Sequence, residues 1–81
     1  MTLSLTLQRD GAEPLAIQIY AQLRAQILAG DLPAGTRLPP SRELAASHDI
    51  ARVTVMQAYE QLLVEGFVRT QVGAGTFVTN L

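Results

Sequence analysis

A mostly α fold carrying one small β-hairpin is what this sequence predicts, and three observations predict it. Apolar residues recur at helical spacing in a long segment after Pro14 and again from Val55 to Leu63. Between them, a loop punctuated by Pro33, Gly35 and Pro39 leads into a short helix near Ser41 and then a tight polar turn at Asp49. After Gly66 the chain becomes rich in β-branched and aromatic residues around a Gly73-Ala74-Gly75 tip. Two helices joined by a tight turn and followed by a glycine-tipped ribbon make a winged helix-turn-helix: three helices plus a wing, α+β by class.

Composition limits what such a fold can do. With 81 residues there is room for one small domain, of a size that often leans on an oligomer or a neighbouring domain for stability. The 48% hydrophobic and 16% charged content fits a globular chain. No apolar run reaches membrane-spanning length, and no basic-then-apolar leader opens the sequence. Cysteine is absent, so disulfides and thiolate metal sites are excluded; the expected location is a reducing cytoplasm. The net charge is -1 at a pI near 5.6, which is low for a nucleic-acid binder and predicts weak non-specific affinity. All six cations are arginine, a side chain suited to bidentate phosphate and guanine contacts. Arg37, Arg42, Arg52 and Arg69 fall in the loop, helix starts and wing.

Taken in order, residues 1–13 form a tail or a short strand, since Leu3, Leu5 and Leu7 alternate with Thr2, Ser4 and Thr6. Residues 14–79 form the domain. Pro14 opens the first helix, whose stripe is Ala16, Ile19, Tyr20, Leu23, Ile27 and Leu28, and Gly30 ends it. Gln18, Gln22, Arg24 and Gln26 are read as its solvated face. The loop from Asp31 to Pro39 follows, with Leu38 as a core plug. Either Ser41 or Pro40 caps the second helix, which turns Leu44 and Ala45 inward. Asp49 makes the turn. The third helix, about 51–65, buries Val55, Ala58, Tyr59, Leu62 and Leu63 and stops at Gly66. The wing covers 67–79, with Arg69 and Gln71 on the strand face opposite Val68 and Val72. Residues 80–81 begin a linker to a further domain.

The third helix is shaped for a DNA major groove, its amino-terminal turn against base edges. There Arg52 fits guanine O6 and N7, Val53 a thymine methyl, and Gln57 an adenine or a phosphate. Thr54 suits a phosphate oxygen. Arg42, at the start of the helix that crosses the backbone, reaches a phosphate or, from the groove edge, a guanine; Ser41 adds a hydroxyl beside its capping duty, and Arg37 is a loop cation in reach of phosphate or solvent. Gly73, Ala74 and Gly75 let backbone N–H groups approach a phosphate or the minor groove, although hairpin-turn chemistry asks for glycine there as well. The competing placement for Arg52 is a surface pair with Glu43 or Asp49. His48 has no partners for a metal site, and neither a Ser-His-Asp set nor a phosphate loop is present, so no enzyme and no cofactor is expected of this chain.

The segments Leu38-Pro39-Pro40-Ser41-Arg42-Glu43-Leu44-Ala45, Arg52-Val53-Thr54-Val55 with Ala58-Tyr59-Glu60-Gln61-Leu62 and Glu65-Gly66, and Gly73-Ala74-Gly75-Thr76-Phe77-Val78 together resemble the GntR-type winged helix over about residues 14 to 79. The Ala58-Tyr59 pair and the wing resemble its MocR branch. That resemblance implies the amino-terminal DNA-binding piece of a bacterial transcription regulator, a homodimer on repeated half-sites of double-stranded DNA. It also implies a large pyridoxal phosphate-binding domain, like fold-type I aminotransferases, that senses an effector. By the same resemblance Arg42, Arg52, Thr54, Gly73 and Gly75 lie at the DNA. Ala51, Pro40, Asp49 and Met56 depart from the common pattern: Ala51 removes a cap acceptor, and Met56 stands where an arginine is frequent, so no phosphate contact is expected from position 56. The rival expectation is a winged helix used as a protein-interaction module, suited by the acidic pI and the glutamine-rich first helix.

Overall fold

Proline and glycine bracket the first helix. The computed structural model describes residues 3–80, and in it α1 runs Leu15–Ala29 between Pro14 and a left-handed Gly30 at φ 84°. The Pro14 carbonyl accepts from the Ile17 and Gln18 amides. Ile19, Leu23 and Ile27 are buried along one four-residue row. Leu28, expected on that stripe, is 56% exposed, because it sits about 100° around the helix from Ile27.

Leu32 and Leu38 both point into the core. The stretch read as loop contains a strand, β1 Arg37–Leu38, too short to carry a period. It pairs antiparallel with β3, Gly75–Val78, which pairs in turn with β2, Val68–Gln71, in the order β1-β3-β2. The hairpin is therefore anchored to the helical body on its β3 side.

Helix α2, Ser41–Ser47, is capped by Pro40, so Ser41 is its first helical residue and its hydroxyl is left for other work. Asp49 turns the chain at φ 53°, a left-handed conformation Asp tolerates better than bulky residues do. Helix α3 then runs Arg52–Val64 and buries Val55, Ala58 and Leu62. Leu63, also expected inward, is 36% exposed at the edge of the stripe. The half-buried Tyr59 donates its hydroxyl to the Pro39 carbonyl at 2.6 Å, and burial pushes its phenol well above the usual value. Gly66, at φ 82°, completes a two-bond cap: Phe67 N–H to the Leu62 carbonyl and Gly66 N–H to the Leu63 carbonyl. Tyr20 of α1 donates to Glu65, Gln61 donates to its other oxygen at 2.6 Å, and these bonds hold that carboxyl below its usual range.

Ala51 stands at the amino-terminal cap of α3 in extended geometry, with no side-chain acceptor for the free N–H groups. Ala51→Ser is expected to stabilise the domain by about 1 kcal/mol. That raises Tm by roughly 4–8 °C, read by thermal melting; an unchanged Tm would mean those N–H groups already have partners.

Of the two readings of the amino-terminal segment, tail or short strand, its described part is a tail that belongs to no sheet; Thr2 lies outside the described residues. Leu3, Leu5 and Leu7 pack on the core edge. Its backbone pairs instead with the side chains of Gln18, Gln22 and Gln26, three residues read as solvated. Gln22 accepts from the Thr6 N–H at 2.8 Å and donates to the Thr6 carbonyl at 2.6 Å. Gln18 does the same with Gln8 and also donates to Glu13, and Gln26 donates to the Ser4 carbonyl. Four helical residues rise about 6.0 Å and two extended residues about 6.6 Å. The two repeats nearly match, so amides on one helix face imitate a neighbouring strand.

Candidate nucleic-acid interface

The short loop 48–51 brings the start of α2 against the start of α3. Arg52 Nε donates to Ser41 Oγ at 3.1 Å, not to Glu43 or Asp49. Ser41, unneeded as a cap, thus orients the Arg52 side chain through Nε, and Arg52 as a residue stays exposed. Arg42 follows Ser41 on the exposed side of α2. Beyond Arg52, Val53 is 58% exposed, Thr54 is half-buried, and Met56, Gln57 and Glu60 carry the outward surface onward. Gln57 also lines a shallow groove between α3 and α1, beside Ile17 and Tyr20. Met56 and Glu60 line another against the wing, with Thr70 and Thr76.

The wing loop is Val72-Gly73-Ala74, and Gly75 is already in β3. Val72, expected on the side of buried Val68, is fully exposed at the tip. Arg37 is not a free loop cation: its Nε donates to the Ala74 carbonyl at 3.0 Å and ties the tip to β1. Arg69 lies 5.1 Å over the Phe77 ring, its cross-strand neighbour, and reaches Gln71 Oε1 at 3.3 Å. A Cβ on Gly75 would stand 2.8 Å from Arg37 Nε, at φ 128°, whereas one on Gly73 at φ 79° would meet open space. Turn chemistry thus explains Gly73, and close approach of Arg37 explains Gly75. Gly75→Ala is expected to break the Arg37–Ala74 bond at a strain of about 1–3 kcal/mol, seen as a lower Tm and faster amide exchange across β3; wild-type exchange there would contradict the packing.

Arginines 37, 42, 52 and 69 occur in β1, at the two helix starts and in the wing. Among the described residues no group of three or more His, Cys, Asp or Glu is placed to hold a metal, and no helix is long and apolar enough to cross a membrane. Arg9, read only as part of a turn, donates to the carbonyls of His48 and Asp49. Nothing in the sequence near Arg9 signals backbone acceptors some forty residues away. The four-residue spacing of Gln18, Gln22 and Gln26 against alternate residues of the tail was a readable signal for the ladder.

Paired helices, an arginine-bearing third-helix start and an anchored wing define a winged helix-turn-helix of the DNA-binding kind. A model of the bacterial regulatory proteins of the gntR family matches residues 15–78. The chain belongs to that family and is the DNA-binding domain of a GntR-type transcription regulator. It is 47% identical over 77 residues to the Rhizobium meliloti protein described as a probable rhizopine catabolism regulatory protein, MocR, an alignment covering 95% of this chain and 16% of that protein. This supports the MocR-like character seen in Ala58-Tyr59 and the wing. The GntR-family transcription factor YtrA from Sulfolobus acidocaldarius superposes at TM-score 0.88 with 31% identity, over 95% of this chain and 81% of that one. The DNA-binding domain of AraR, solved in complex with operator ORX1, shares the fold at TM-score 0.80 and 23% identity, over 98% of this chain and 99% of that one.

Proposed function

We propose that the domain reads one half-site of a repeated operator in double-stranded DNA. The carrying observation is the bond from Arg52 Nε to Ser41 Oγ at the exposed start of α3. It leaves both terminal nitrogens for guanine O6 and N7 in the major groove, and a side chain held in advance loses less freedom on binding. Val53 meets a thymine methyl and Gln57 an adenine one turn on. Thr54, Arg42 and Ser41 settle on phosphates. Arg37 contributes its terminal nitrogens beside the wing, whose Gly73, Ala74 and Gly75 follow the adjacent groove.

The chain spans 16% of the length of its MocR relative; we infer further that the intact regulator carries an effector-sensing domain and acts as a cytoplasmic homodimer. Pyridoxal phosphate does not fit the residues present here: enzymes hold it through a lysine amine, and this chain has no lysine. That cofactor belongs to the further domain.

Fluorescence anisotropy of a tag-dimerised domain on labelled duplex, across salt concentrations, tests the reading. Affinity is expected to fall steeply with salt, and Arg42→Ala to flatten the logarithmic slope by about 0.9 per half-site. Salt-independent association would point instead to the protein-interaction role.

A further inference from the structure

We infer that the tail 3–9 belongs to the DNA-reading apparatus: it is a strut, registered on α1 by Gln18, Gln22 and Gln26, that carries Arg9 onto the turn from which α3 is aimed. The inference rests on the proposed reading of DNA by α3. One guanidinium nitrogen of Arg9 donates to the His48 carbonyl at 2.8 Å and to the Asp49 carbonyl at 2.6 Å. His48 is the carboxyl-terminal cap of α2, so the cation sits at the negative end of that helix, where charge-assisted bonds to free carbonyls are favourable. Asp49 is the strained residue of the turn, and Arg52 follows it by three.

Base readout needs the reading side chains held to about 0.5 Å. A hold from outside the two-helix unit adds to the turn's own bonds, Asp49 N–H to the Ala46 carbonyl and Ile50 N–H to the Ala45 carbonyl. The ladder supplies the hold. Both amide groups of Thr6 and of Gln8 are engaged by α1, so the residue after Gln8 starts from a fixed place on the long helix. Arg9 thereby links α1 to the α2–α3 turn, a positioning residue that touches no base.

The test uses the tag-dimerised domain with two probes, a duplex enriched from a random library and a scrambled duplex of equal length and composition. Arg9→Gln is expected to weaken the enriched duplex about tenfold, leave the scrambled duplex and the salt slope unchanged, and raise amide exchange at Asp49 and Ile50, whose N–H groups are bonded in the turn. Arg9→Lys restores part of the affinity, since an ammonium still donates to carbonyls. Gln22→Ala, which loosens the strut with Arg9 in place, moves the ratio of the two affinities in the same direction. Equal loss on both duplexes with a slope flatter by about 0.9 per half-site would make Arg9 a phosphate contact and overturn the inference. So would a lowered Tm with an unchanged affinity ratio. If the wild type failed to discriminate between the duplexes, the reading of DNA by α3 would fall, and the inference with it. Unchanged exchange at the turn in Arg9→Gln would instead remove the strut alone.

Discussion

Arg52→Ala is expected to lower affinity for the cognate half-site by about ten- to a hundredfold and to relax the preference for one base pair. A bidentate arginine–guanine pair discriminates by roughly 1–3 kcal/mol, and this arginine is already oriented by Ser41 Oγ through its Nε. Ser41→Ala removes the orienting bond and leaves the guanidinium, so its effect is smaller and falls on the same base pair. Competition binding against single-base-pair variants of the half-site checks this. Loss spread evenly over all positions would show Arg52 to be a phosphate contact.

The second large effect concerns stability. Leu62 of α3 is fully buried in the core cluster, whereas the adjacent Leu63 is 36% exposed. Leu62→Ala is expected to remove about 2–5 kcal/mol. A domain of this size holds in total about 4–12 kcal/mol, so the variant stands near the edge of folding. Leu63→Ala is expected to fall well short of that, under about 1.5 kcal/mol, having little cavity to create. Urea unfolding of both separates them: a clear difference in midpoint at equal m-value is expected, and equal losses would contradict the burial pattern.

The sequence carried the fold wherever a period or a punctuating residue spoke for it. Pro14 and Gly30 bracket α1, and Val55, Ala58 and Leu62 mark the buried row of α3. Gly66 stops that helix, and Asp49 is the turn. Periodicity alone placed Leu28 and Leu63 inward because a two-residue apolar step straddles the edge of a stripe, and only packing decides which member is covered. β1 escaped notice since two residues have no pattern. At the interface, the composition of the helix starts and wing was visible, but the bonds within it were not. That Ser41 serves Arg52, that Arg37 serves Ala74, and that Arg9 serves the turn are facts of chain crossing, between residues 11, 37 and 40 positions apart. The glutamine face of α1 shows the same limit: amides that suit water equally suit a backbone laid beside them.

Selection from a random duplex library by the tag-dimerised domain, with Arg52→Ala in parallel, decides whether α3 reads bases. A repeated half-site is expected to be enriched by the wild type and lost, or relaxed at one base pair, in the variant. No enrichment at low salt by a folded, dimeric protein would contradict that reading.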